Sequence, residues 1–187
     1  MLTHKGTQQL ETRRLILRRV RREDAQAMYD NWASEEQVTK YLTWPTYPSV
    51  EPAHFITDLW AKSYEKEDFY QWMIVPKELG QPIGTISVVR HDDEIASAEI
   101  GYCIGSRWWG QGLMPEALQA VIDYLFTEVG MNRIEARHDA NNPKSGRVMA
   151  KCGMTCEGTH RQAGRNNQGV CDEVYYAILR SDWESGK

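Results

Sequence analysis

Apolar and polar positions along this chain follow two different periods, and each change of period marks an element. The clearest run has the 3.6-residue period of a helix. Leu113, Met114, Ala117, Leu118, Val121, Ile122, Leu125, Phe126 and Val129 share one stripe, with Glu116, Gln119, Asp123 and Glu128 on the other side. Pro115 suits the first turn, where backbone N–H groups have no intrahelical acceptor, and Gly130 is placed to end the helix. Two further helical patterns occupy 23–32, with Ala25, Met28, Tyr29 and Trp32 on one face, and 51–64, with Phe55, Ile56, Leu59 and Trp60 expected inward. A shorter helix is predicted from about Ser145 to Cys152, ending at Gly153.

Strand-length apolar runs occupy 15–20, 70–75, 83–89, 98–104, 133–138, 156–161 and 170–179. The second and third read as a hairpin around Glu78-Leu79-Gly80-Gln81-Pro82, and the acidic turn His91-Asp92-Asp93-Glu94 leads into the fourth. A Pro-rich connector with Tyr41, Trp44 and Tyr47 separates the first two helices. Neither repeats nor low-complexity linkers interrupt the chain. The total is a mixed sheet of about seven strands with about four helices, an α+β layout in one domain over 10–183.

Between the strand at 98–104 and the long helix stands Arg107-Trp108-Trp109-Gly110-Gln111-Gly112, an R-x-x-G-x-G turn. Two glycines let a backbone turn tightly and present its N–H groups, and the helix behind contributes roughly half a positive charge at its N-terminus. A diphosphate suits such a cradle. A P-loop is excluded, because Gln111, Leu113, Met114 and Pro115 stand where Gly-Lys-Ser/Thr is needed. The dinucleotide fingerprint fits poorly, because Pro115 replaces its third glycine. A plain strand–helix connection that uses the glycines only for turning is the competing reading.

Composition narrows the class. At 187 residues and 41% hydrophobic content the chain can bury a sizeable core. The net charge of −4 gives no general attraction to nucleic acid, and the basic cluster Arg13, Arg14, Arg18, Arg19, Arg21 and Arg22 is broken by Leu15, Ile16, Leu17 and Val20, which suits a solvated strand edge. No apolar run reaches membrane-spanning length, and residues 1–9 are polar, so a cytoplasmic protein with neither membrane nor nucleic-acid partner is expected. The four cysteines, 103, 152, 156 and 171, form no CxxC pair and have no His-rich partner segment, so reduced thiols and no metal site are expected.

The cradle, the preceding Glu99-Ile100-Gly101-Tyr102 and the opening Thr12-Arg13-Arg14-Leu15-Ile16-Leu17-Arg18 resemble the RimJ/RimL-type branch of the GNAT superfamily of acetyl-CoA-dependent N-acetyltransferases. Downstream, Asn142-Pro143-Lys144-Ser145, then Lys151-Cys152-Gly153-Met154 and Glu157-Gly158, resemble the branch's N-x-x-S, K-x-G-F and E-G succession, with Met154 where Phe is usual. The resemblance implies a mostly antiparallel GNAT sheet whose strands at 98–104 and 133–138 splay apart. It implies acetyl-CoA as co-substrate and no metal. Pantetheine would bond the main chain of Tyr102, Cys103 and Ile104, and the pyrophosphate would sit on Arg107, Trp109, Gly110, Gln111, Gly112 and Leu113. Asn142 would hold pantetheine or a water, and Ser145 would protonate the leaving thiolate, since Met149 stands where many relatives carry a tyrosine. Helix capping is the alternative role for Asn142 and Ser145.

Thioester aminolysis needs a neutral amine. An α-amine with pKa near 8 is about one-tenth neutral at pH 7, whereas a lysine amine needs about 4–5 kcal/mol to deprotonate. Two carboxylates compete as base, Glu135 first and Glu99 second, with an ion pair to Arg133 or Arg137 as the structural alternative for Glu135. Gly164 occupies the position where the branch can carry a loop glutamate. The acceptor is therefore expected to be a protein or peptide N-terminal α-amine. A small amine (polyamine, amino acid or antibiotic) and a non-catalytic acetyl-CoA sensor are the alternatives, and the oligomeric state, a homodimer included, stays open.

Overall fold

In the computed structural model, which describes residues 2–186, the strands are β1 (Leu10–Glu11), β2 (Leu15–Arg18), β3 (Gln71–Pro76), β4 (Gly84–Asp92), β5 (Ser97–Ile104), β6 (Arg133–Asp139), β7 (Thr155–Asn166) and β8 (Gly169–Leu179). They form one eight-stranded sheet in the order β1-β2-β3-β4-β5-β6-β8-β7. Every neighbouring pair is antiparallel except β5 and β6, which run parallel. The helices are α1 (Asp24–Met28), α2 (Glu36–Thr39), α3 (Glu51–Ser63), α4 (Leu113–Tyr124), α5 (Pro143–Lys151) and α6 (Arg180–Ser185). The α+β layout expected from the hydrophobic pattern is thus the observed one, with β1, α2 and α6 added.

One sheet face carries the larger core. All nine apolar residues of the α4 stripe are buried there, against Leu15, Trp72, Ile86, Ile100 and Ile134 of the sheet. Burying each Leu, Val, Ile or Phe completely contributes roughly 1.5–3 kcal/mol, so this helix is the principal anchor of the cradle in front of it. It opens at Gly112 and, through a π turn at Leu125–Val129, closes at Gly130, both glycines left-handed.

The opposite face packs on α1 and α3. α3 is rotated in part from the expected orientation: Ile56 and Trp60 pack against this core as expected, but Phe55 and Leu59 do not. Ala53 and Thr57 are buried, while Phe55 and Leu59 are 72% and 47% exposed. Small side chains let this helix approach the sheet closely, and Tyr64 just beyond it fixes the rotation by accepting from the Val20 N–H (2.8 Å) and donating to the Gln71 carbonyl (2.7 Å). The arginine cluster is not a solvated edge either: β2 is paired on both sides, and Arg18 makes a bidentate bond to buried Asp24, both contacts at 2.7 Å.

The parallel pair is short. Ser97, Ala98 and Glu99 of β5 stand opposite Arg133, Ile134 and Glu135 of β6, and pairing stops there. From Ile100 onward the two strands diverge, leaving a wedge in the middle of the sheet.

Candidate active site

The wedge exposes strand edges that would otherwise be paired. Gly105 donates its N–H to the Ile83 carbonyl (2.9 Å). In an antiparallel ladder, alternate residues bond to the same neighbour. Cys103 therefore bonds toward β4, and the N–H and C=O groups of Tyr102 and Ile104 face the wedge. This corrects the expectation for Cys103, whose main chain is committed to the sheet. Its side chain lies 3.5 Å from the Thr85 hydroxyl, and burial raises its thiol pKa above the ordinary value. The Trp109 indole N–H already donates to the Ile104 carbonyl (2.9 Å), which leaves the Ile104 N–H and both groups of Tyr102 along that edge.

At the open end of the wedge lies the R-x-x-G-x-G turn, in front of Leu113, the first residue of α4. Gly110 and Gly112 adopt φ of +76° and +74°, a region that costs other L-residues roughly 1–2 kcal/mol. The turn is braced from β2's side. Glu116 of α4 accepts from the Arg14 N–H (2.8 Å), the Arg14 Nε (2.7 Å) and the Thr12 hydroxyl (2.6 Å), while Arg14 Nη1 holds the Gln111 carbonyl (3.0 Å). Gln111 Nε2 in turn donates to the Arg107 carbonyl (2.8 Å). The first-turn N–H groups of α4 have no intrahelical acceptor, so the braced turn presents donors and partial positive charge together. The Arg107 guanidinium lies 5.5 Å from the centre of the Trp108 ring, beside the same turn.

α5 closes the other side. Asn142 is its N-cap residue, yet its side chain makes no capping bond, so capping is not what Asn142 does here. The Ser145 Oγ lies 3.0 Å from the Tyr102 hydroxyl, which also donates to the Ser145 carbonyl (3.0 Å). Burial pushes the Tyr102 phenol far above its ordinary range and keeps it protonated. Lys144 lies over the Trp109 ring at 5.0 Å, linking α5 to the cradle across the wedge.

The two predicted bases meet where the strands part. Glu99 and Glu135 are directly opposed across the last parallel pair, and arginines claim both. Glu99 contacts Arg137 (2.8 Å) and Arg90 (3.2 Å), whereas Glu135 contacts Arg133 (3.1 Å) and Arg90 (3.4 Å). A third carboxylate stands on β8, across β6 from the wedge, and reaches the same Arg137. Glu173 of β8, with a side chain 13% exposed, uses one oxygen, Oε2, for Arg137 (3.0 Å) and Tyr175 (3.1 Å). Its other oxygen occupies the space that a side chain at position 164 would fill, since a Cβ built on Gly164 collides with Glu173 Oε1.

The same face is walled by the 41–48 connector. Asn167, at the turn between β7 and β8, donates its amide to the carbonyls of Thr39 (2.9 Å) and Trp44 (2.7 Å), and its N–H to that of Leu42 (3.2 Å). Trp44 and Tyr47 pack against each other with ring centres 5.2 Å apart. The connector and the β7–β8 turn are thus fastened to each other through Asn167.

A splayed parallel pair, a glycine turn opening a buried helix and a hydroxyl pair beside the gap together meet the needs of thioester aminolysis. Residues 14–155 match the acetyltransferase (GNAT) domain family. This chain belongs to the GNAT family. The N-acetyltransferase p20 of Bacillus licheniformis is 31% identical over 174 residues, which cover 93% of this chain and 97% of that protein. The ribosomal protein uS5-alanine N-acetyltransferase of Escherichia coli is 29% identical over 188 residues, covering 95% and 94%. A solved GNAT-family acetyltransferase from Bacillus anthracis superposes with a TM-score of 0.81 at 26% identity, covering 93% of this chain and 99% of its own. The chain is therefore an acetyl-CoA-dependent N-acetyltransferase, and among its described residues no helix is long and apolar enough to cross a membrane.

Sequence reasoning about this acetyltransferase missed four side chains that shape the site: Arg14, the Tyr102 phenol, Asn167 and Glu173. Only Glu173 had a signal. A glycine in place of a family glutamate asks which other carboxylate fills the space, and the answer lies nine residues on, across the hairpin.

Proposed function

We propose that this acetyltransferase transfers acetyl to the α-amine of a protein or peptide N-terminus, working in the cytoplasm. The observation that carries this reading is the carboxylate arrangement. Glu99 and Glu135 are neutralised by arginines, and of the three carboxylates Glu173 has one oxygen, Oε1, outside its ion pair, lying beside Gly164. One partly screened carboxylate, acting through a water, suffices for an amine with pKa near 8 and falls short of the cost of deprotonating lysine, about 4–5 kcal/mol. The likeness to an enzyme that acetylates an alanine supports the same class, because alanine's only amine is its α-amine.

In this reading the diphosphate of acetyl-CoA lies on the turn at Gly110–Leu113, flanked by Arg107 and Trp109, and pantetheine bonds the free main-chain groups of Tyr102 and Ile104, with Asn142 beside it. The amine enters past Trp44 and Tyr47. The ammonium gives one proton through water to Glu173, and the neutral amine attacks the carbonyl carbon. As the carbon–sulfur bond breaks, the departing thiolate takes a proton from Ser145, which Tyr102 holds in place, and the proton that the nitrogen sheds on becoming an amide returns through water to the Ser145 oxygen. Glu99 and Glu135 keep Arg137 and Arg133 oriented.

A thiol-release assay with peptides beginning in alanine or serine, N-blocked lysine peptides, polyamines and aminoglycosides tests the proposal. The expected result is turnover with free N-termini and little with N-blocked lysine peptides. Strong turnover confined to a small amine would refute the acceptor assignment and leave the family unaffected.

A further inference from the structure

A second cluster lies at the far end of β5 from the cradle, at the β4–β5 turn. His4, His91 and Asp93 come from two distant parts of the chain, and their potential ligand atoms all lie within 4.8 Å of one another. His4 Nε2 is 3.2 Å from each Asp93 oxygen, and His91 Nδ1 is 2.7 Å from Asp93 Oδ1. A tetrahedral zinc with bonds near 2.0–2.2 Å holds its donor atoms about 3.4 Å apart, against 2.7–3.2 Å from each histidine to Asp93 and at most 4.8 Å across the cluster.

The other ring nitrogens are also engaged. His4 Nδ1 bonds the hydroxyl of buried Tyr70 at 2.8 Å, and His91 Nε2 faces Asp68 Oδ2 at 3.8 Å. A metal-bound histidine characteristically has its second nitrogen held by such a partner, which fixes the ring and its tautomer. The first residues of the chain are tied down independently of the cluster. Thr3 donates to the Val129 carbonyl (2.8 Å), and Gly6 donates to the Glu67 carbonyl (2.6 Å). The His4 ring is thus brought to the turn by main-chain bonds rather than by attraction to Asp93 alone. Cysteine spacing could not reveal this site, because its ligands are a residue near the chain's start and two in a strand-end turn.

We propose that His4, His91 and Asp93 bind one divalent transition-metal ion of the zinc class, with solvent completing its coordination beside the exposed Asp93. Two imidazoles and one carboxylate select such an ion over calcium or magnesium, which favour all-oxygen sites. The ion would staple the N-terminal segment to the β4–β5 turn.

Titration of metal-stripped full-length protein with zinc chloride by calorimetry tests the proposal, together with melting curves. One ion per chain and a raised Tm are expected. His4→Ala and His91→Ala should each raise the zinc Kd at least tenfold, and Tyr70→Phe, which removes only an orienting hydroxyl, should raise it about tenfold. The absence of stoichiometric binding would overturn the site. So would a His4→Ala/His91→Ala double variant that binds zinc as tightly as the parent, since the ligands would then lie elsewhere in the chain.

Discussion

Tyr102 and Ser145 meet hydroxyl to hydroxyl at 3.0 Å, one on β5 and the other in the first turn of α5, beside the wedge that splits the sheet. The phenol donates to the Ser145 carbonyl, so within the hydroxyl pair the serine O–H is the donor and the phenol oxygen the acceptor, and in the proposed reaction the serine proton would swing from that oxygen to the leaving sulfur. A tyrosine on the strand thus does the orienting beside a helix that carries Met149 in place of a tyrosine.

Ser145→Ala should lower kcat about 100-fold or more, with acetyl-CoA affinity nearly unchanged, because the hydroxyl acts only as the thiolate forms. Tyr102→Phe should lower kcat less, about tenfold, since it misorients the donor without removing it. Steady-state kinetics with calorimetric acetyl-CoA binding separates the roles. A purely structural pair would show a reduced Tm with unchanged kcat in both variants.

Gly112→Val should abolish measurable acetyl-CoA binding while the protein stays folded. At φ +74° a β-branched residue is strained by roughly 1–2 kcal/mol, and its side chain would also point toward Arg14, whose Nη2 lies 3.5 Å from the position of an added Cβ. Arg14→Ala should weaken binding about tenfold through the same turn, because the Gln111 carbonyl loses its anchor. Full affinity in a folded Gly112→Val protein would refute the cradle.

The parts of this structure legible in the sequence are those in which one period or one local geometry decides the outcome. The α4 stripe is one, and the glycines that bound it are another. α3 was partly misread because apolarity alone favoured Phe55 and Leu59, whereas close approach to the sheet selects the small Ala53 and Thr57. β1, α2 and α6 are too short to carry a period, and α2 is placed by distant contacts such as Gln37 Nε2 to the Ser106 hydroxyl at 2.9 Å. In the site, backbone donors followed from glycine spacing. Of the carboxylate contacts, the Arg133–Glu135 pair was legible as the structural alternative for Glu135, whereas the claims of Arg90 on both glutamates and of Arg137 on Glu99 were not, because they join residues from different strands.

Glu173→Gln should depress kcat/KM at least tenfold toward an N-terminal peptide and leave the acetyl-CoA Kd unchanged, since the amide keeps the shape of the carboxylate but cannot take a proton. Gly164→Ala should also lower kcat/KM, by driving Glu173 Oε1 from its place. Moving the carboxylate, as Gly164→Glu with Glu173→Gly, should recover part of the activity lost in Glu173→Gln. An unchanged kcat/KM in Glu173→Gln would return attention to Glu135 and Glu99, whose Gln variants serve as controls.

Asp139 makes the stability of the chain around the end of β6 depend on pH. Burial alone would raise its carboxyl, but the Asn141 N–H at 2.7 Å and the side chains of Asn166 (2.6 Å) and Asn141 (3.0 Å) outweigh that, and the folded value lies below the ordinary one. A carboxyl depressed on folding binds more protons in the unfolded chain, so its contribution is complete above the unfolded pKa of about 3.9 and fades as pH falls through the folded value. Asp139→Asn should cost about 2 kcal/mol at pH 7, where it loses bonds to a charged acceptor. Below the unfolded pKa, at pH 3, the gap between parent and variant should narrow, because the unfolded parent chain takes up a proton there that the folded carboxyl resists. Urea unfolding at both pH values measures this, and a gap of equal size at pH 7 and pH 3 would show that the charge of Asp139 contributes nothing.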